Sequence, residues 1–211
     1  MTQSATDNRR PLASRSTAWA RALSNVLVRT GASPDHISVM SMVFAAIGSF
    51  ALLRLAPPAG MLICAACVQA RLLCNLLDGM VAIEGGRKSA TGALFNEIPD
   101  RVADSLFIIA LGHAAGTGWL GWFGALAAAT TAYIRTLGGA LEQPQDFRGP
   151  MAKPHRMAVM TASLVIAAAE HAWRDSVVTL EVAAWIIAIG SIVTCGTRTF
   201  AIARRLRAVT P

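Results

Sequence analysis

The chain has 211 residues, of which 54% are hydrophobic and 15% charged, with a mean hydropathy of +0.49. Soluble domains carry about 25% charged residues, so this composition excludes an ordinary soluble domain and points to a membrane. The net charge of +7 does not indicate nucleic acid, because the Lys and Arg residues form no single face or tail and fall instead between apolar stretches.

Residues 1–14 are polar, with no apolar core directly after the arginines and no cleavage site, which predicts a frayed end rather than a signal peptide. From Ser14 to Arg29, Trp19, Ala22, Leu23, Val26 and Leu27 fall at helical spacing among Arg15, Arg21 and Arg29. That pattern predicts an amphipathic helix lying in the membrane interface; the plainer alternative is a short helix folded over the protein. Ser33-Pro34-Asp35-His36-Ile37-Ser38 breaks this helix and starts the next, with Ser or Asp to cap the free amides and Pro in the first turn. Six apolar spans follow, at about 37–56, 59–82, 92–113, 118–136, 157–173 and 178–198, each near the roughly 20 residues that a bilayer requires. The expected architecture is an all-α integral membrane protein of six transmembrane helices plus the N-terminal interfacial helix. Residues 1–36 form its N-terminal segment and 37–211 its membrane domain. Cys64, Cys67, Cys74 and Cys195 lie inside apolar runs. No second pair or nearby His completes a zinc or redox site around Cys64-Ala-Ala-Cys67, so they read as small packing residues.

Charge sets the orientation. Fourteen Lys and Arg residues fall on the side of the N-terminus, and only Arg54 and Arg174 near the other. Positive residues accumulate on the cytoplasmic side, so both termini are expected there, in the cell membrane. Pro57-Pro58 and Gly116 to Gly118 then make outer turns, and Trp119, Trp122 and Trp173 mark the outer boundary, where aromatic belts form.

Polar side chains at membrane depth are costly and read as functional by default. They concentrate between Asn75 and Asp104. Asn75 and Asp78 end one span; Gly92, Asn96, Asp100 and Asp104 recur every four residues in the next, a step that keeps side chains on one helix face. Two helices thus present Asn and Asp oxygens to one cavity, which suits a hard divalent cation.

This stretch resembles the membrane CDP-alcohol phosphotransferases, whose pattern is D-x2-D-G-x2-A-R-x8-G-x3-D-x3-D. Here it reads Asn75-x2-Asp78-Gly79-x2-Ala82-Ile83-x8-Gly92-x3-Asn96-x3-Asp100, with every spacing kept. The Ser33-Pro34-Asp35-x2-Ser38 start is similar to the Pro-Asn-x2-Thr of that family, and the six spans match as well. The resemblance implies transfer of a phosphatidyl group from CDP-diacylglycerol to a small polar alcohol, releasing CMP, in phospholipid synthesis. It implies Mg2+ or Mn2+ held by Asn75, Asp78, Asn96 and Asp100, with Asp100 as base for the acceptor hydroxyl. Donor contacts fall to Gly79, Ala82 and Gly92, with Arg87, Lys88 and Ser89 of the connecting loop in reach of the nucleotide. A homodimer is a further implication.

Asn75, Ile83 and Asn96 depart from the pattern, which wants Asp, Arg and Asp. Glu97 and Asp104 can compensate in the metal set, since Glu97, Asp100 and Asp104 share a face. The structural alternatives are a Glu97–Arg101 pair at i+4 and a buried acceptor role for Asp104. Arg71, four before Asn75 and seven before Asp78, can replace the missing arginine at the donor diphosphate, or else snorkel to the interface. The basic run holding Arg148, Lys153 and Arg156 is expected to take phosphate or an acidic acceptor, or to anchor anionic lipid. Two rivals remain: a membrane polyprenyl transferase, and a non-catalytic lipid-binding or scaffold relative, which the Asn substitutions favour.

Overall fold

The structure is a computed structural model that describes residues 17–86 and 91–209. Among the described residues there are seven helices: α1 (Ala18–Arg29), α2 (Pro34–Arg54), α3 (Ala59–Glu84), α4 (Gly92–Ala114), α5 (Gly118–Ala140), α6 (Lys153–Arg174) and α7 (Val178–Val209). Each expected span is a helix, and the expected N-terminal helix is α1. Ser33 is the cap of α2: its hydroxyl accepts from the His36 amide at 3.1 Å, with Pro34 in the first turn.

Two boundaries differ from expectation. α6 starts at Lys153 rather than near 157 because Pro154 sits in its first turn, where a missing amide hydrogen costs nothing. The charges of Lys153 and Arg156 therefore belong to the helix and are paired inside the protein. α7 continues to Val209 through Arg198, Arg204, Arg205 and Arg207, since arginine is a good helix former.

The six longer helices close in a ring, each packed on two neighbours in the order α2, α3, α6, α7, α5, α4, with α4 also reaching α7 across it. α1 lies outside the ring against α3. Its Leu23, Leu27 and Val28 pack around Cys74, Leu77 and Val81, while Trp19 and Val26 stay exposed. Inside the ring, Phe107, Ile108 and Leu111 of α4 pack with Leu120, Met157, Met160, Leu164, Leu180 and Ile187. The α4–α5 turn is tight because Gly112 and Gly121 face one another, and a Cβ on Gly112 would collide with the Gly121 backbone. Outside the ring, Phe50, Ile98, Leu126, Ile189 and Phe200 are exposed, as a surface facing lipid requires. Cys64, Cys67 and Cys74 are buried free thiols.

Among the described residues, α2, α3 and α7 are long and apolar enough to cross a membrane. α4 and α6 are of similar length, but Asp100, Asp104 and Arg156 within them lower their apolar character. All three side chains are buried, so their charge faces the interior of the protein and not lipid. The chain is an integral membrane protein of all-helical fold.

Candidate functional site

α3 and α4 follow one another in the chain, yet among the described residues they are not a closely packed pair. Long charged side chains span the space between them. Arg71 of α3 is fully buried; one of its terminal nitrogens (Nη2) donates to Asp100 Oδ1 at 3.1 Å, to the Asp100 carbonyl at 3.3 Å and to Asp104 Oδ1 at 2.6 Å. α6 closes the third side. Lys153 Nζ donates to Asp100 Oδ2, and Arg156 Nη2 donates to Asp104 Oδ2 at 2.9 Å. The other terminal nitrogen of Arg156 (Nη1) is fixed by the Met151 carbonyl at 2.7 Å. From α2, the Ser38 hydroxyl donates to Asp78 Oδ2 at 2.7 Å.

Arg71, Asn75 and Asp78 share one face of α3, as their spacing predicts, and Asp78, Asp100 and Asp104 are all buried. The remaining expected residues are placed differently. Asn96 is exposed. Glu97 pairs with Arg135 of α5 at 2.5 Å and with Arg101 at 3.8 Å, the structural alternative with a second partner added. Asp104 is likewise a buried acceptor, engaged by two guanidinium groups. Arg71 does not snorkel: its Nη2 is engaged by Asp100 and Asp104, while its Nε and Nη1 are buried without partners. Gly79 and Ala82 are half-buried on α3, and Gly92 is half-buried as the first residue of α4. Arg87, Lys88 and Ser89 lie outside the described residues.

The basic run before α6 divides in two. Lys153 and Arg156 enter the buried cluster. Arg148 stays outside, two-thirds exposed, bound to Asp146 at 2.7 Å. Asp146 also takes Arg205 of α7 at 3.0 Å, and its hydrogen bond from Arg148 holds its carboxyl down at about 2. Arg198 of α7 donates to the Arg148 carbonyl at 2.9 Å and to the Thr131 carbonyl at 2.7 Å. The segment between α5 and α6 is thus strapped to α7, which sets where α6 starts and where Lys153 and Arg156 point. The three cations expected to take an acceptor phosphate are each paired with a carboxylate, and Arg156 Nε is buried without a partner.

Ser38, Thr131, Arg135 and Arg198 were not anticipated as members or supports of the site. The spacing from Ser33 to Ser38 carried a signal for the first. The other three lie on α5 and α7, where no local pattern connects them to Asp100.

Asn75, Asp78 and Asp100 supply oxygen donors of the kind Mg2+ and Mn2+ prefer. Asn75 Nδ2 is buried without a partner, and turning the amide over would bring its oxygen to the same place, so the residues fit such an ion chemically. The electrostatics are less open: every carboxylate oxygen of Asp100 and Asp104 is already engaged by a protein cation. Among the described residues, no group of three or more His, Cys, Asp or Glu side chains is arranged to hold a metal.

No family model matches the chain. A phosphatidylinositol phosphate synthase of Mycobacterium marinum is 26% identical over 194 residues, covering 85% of this chain and 77% of that protein. The chain is a distant relative of that enzyme. Crystal structures of the Mycobacterium tuberculosis phosphatidylinositol phosphate synthase share its fold. The form with CDP-DAG bound gives a TM-score of 0.71 at 20% identity, covering 88% of this chain and 94% of that one. The form in complex with manganese and citrate gives 0.70 at 21% identity, covering 87% and 88%. At these identities the synthases establish the fold and leave the chemistry to be argued from this chain's own residues.

Proposed function

We propose that the protein transfers a phosphatidyl group from CDP-diacylglycerol to a small polar alcohol and releases CMP. The observation that carries this reading is that Asp78 of α3 and Asp100 of α4 are both buried, with Arg71 of α3 bonded to Asp100, at the spacing of the CDP-alcohol phosphotransferase pattern. The distant relationship to the Mycobacterium marinum synthase, and the fold shared with the Mycobacterium tuberculosis synthase that has CDP-DAG bound, support it.

In this reading the acceptor oxygen attacks the phosphorus on the lipid side, the bond from that phosphorus to CMP breaks, and the acceptor proton passes to the Asp100 carboxylate. Arg71 and Lys153 hold Asp100 in position. Ser38 orients Asp78. A divalent ion held by Asn75, Asp78 and Asp100 would neutralise charge on the leaving diphosphate oxygens. The apolar ring around the cluster excludes water, which strengthens each of these interactions.

A second reading has its own support. Asn at positions 75 and 96, and the saturation of Asp100 and Asp104 by cations, favour a relative that binds CDP-lipid without turning it over.

CMP release by purified protein separates the two, using CDP-diacylglycerol, Mg2+ or Mn2+, and a panel of inositol, inositol phosphate, glycerol 3-phosphate and serine. The transferase reading expects CMP with one acceptor, falling by about 100-fold or more in Asp100→Ala and Asp78→Ala. CDP-lipid binding without CMP would select the second reading, and no binding would remove both.

A further inference from the structure

The centre contains three buried carboxylates, Asp78, Asp100 and Asp104, the buried cations Arg71 and Arg156, the part-buried Lys153, and Arg101 at 3.5 Å from Asp100 Oδ2. It carries no net negative charge. Placing a divalent ion in such a site adds positive charge that nothing compensates where the effective dielectric is low, and that is costly. The unmet hydrogen bonds point the same way. The buried polar atoms of the cluster without a partner are Arg71 Nε and Nη1, Asn75 Nδ2 and Arg156 Nε. Three of the four are guanidinium donors, fixed in that role. The centre has unused donors and no excess of negative charge, so what it receives first is an anion.

The sequence explains how this came about. Two of the four acidic positions of the motif are Asn75 and Asn96, which removes two negative charges. The remaining carboxylates are matched by cations from α3 and α6, and Lys153 donates to the same Asp100 oxygen that a bound metal would need.

We propose that Lys153, supported by Arg71 and Arg156, holds the place of the divalent cation in the resting protein, and that the ion joins only after a nucleoside diphosphate has bound. This rests on the reading that the donor is a CDP-linked lipid. Each phosphate of such a donor is anionic; together they supply the charge and the acceptor oxygens that make room for a divalent ion. Nucleotide and metal then bind with positive coupling, and each raises the affinity for the other by the same factor.

The test is Mn2+ binding to the full-length protein in lipid nanodiscs, followed by the electron paramagnetic resonance signal of free Mn2+, with and without CDP. Measured against the same Mn2+ and CDP with empty nanodiscs, which accounts for chelation by CDP itself, wild type is expected to bind Mn2+ at least about 10-fold more tightly when CDP is present. Lys153→Gln, which removes the cation on Asp100 Oδ2 that competes most directly with a metal, is expected to bind Mn2+ without CDP, and Lys153→Arg to behave as wild type. Equal Mn2+ affinity with and without CDP in the wild type would overturn the inference while leaving a metal-dependent transferase intact, and that comparison needs no variant to fold. Failure of CDP to bind under any condition would remove the donor reading and the inference with it.

Discussion

Arg71 has no exposed surface and serves two carboxylates at once. Removing one partner of a buried ion pair strands the other in a medium that cannot solvate it, at a cost of about 3–5 kcal/mol. Arg71→Met is expected to lower stability by about that much, read from the unfolding midpoint in detergent. Adding Asp104→Asn restores charge balance and should recover part of the loss. A double variant no more stable than the single one would show that charge pairing is not what Arg71 supplies. The position of Arg71 was legible in the sequence, because its spacing from Asn75 and Asp78 fixes a shared helix face. Its partners were not legible, since Asp100 and Asp104 lie on another helix and no periodicity reports a contact between helices. Glu97 illustrates the same limit: the local pairing with Arg101 was readable, and the shorter bridge to Arg135 was not.

The segment between α5 and α6 shows how a helix start can depend on distant residues. Asp146 is buried beneath Arg148 and Arg205, and Met151 donates its amide to Thr194 Oγ1 at 2.9 Å. Because the folded carboxyl of Asp146 titrates at about 2, below the value of about 3.9 for a free aspartate, its ionisation stabilises the fold at neutral pH. That contribution is present above the unfolded value and fades as the pH falls from near 4 toward 2. Asp146→Asn is therefore expected to melt below wild type at pH 7, and the gap between the two should close as the pH is lowered through that window. A gap that stays constant would mean that Asp146 acts through shape alone. The apolar span expected at about 157–173 begins four residues inside α6, because Lys153 and Arg156 at its opening are charged. Only the carboxylates waiting inside the ring make those two residues acceptable within a membrane helix.

The ring of six helices was legible as six apolar spans and their turns, since length, hydropathy and turn residues are local properties. The order in which the spans pack was not, because it is decided by contacts such as Gly112 on Gly121 and by the charges that α4 and α6 turn inward. Orientation remains an expectation from the bias of Lys and Arg, and fusions to the C-terminus test it. A fluorescent protein should mature there and alkaline phosphatase should stay inactive, whereas an active phosphatase would reverse the assignment. The separation of α3 from α4 also bears on how the protein is made. Asp78, Asp100 and Asp104 emerge from the ribosome with Arg71 and Arg101, while Lys153 and Arg156 follow only later in synthesis. The polar centre is thus completed late in biogenesis, and a chain ended before Lys153 would leave acidic groups in the bilayer for quality control to find.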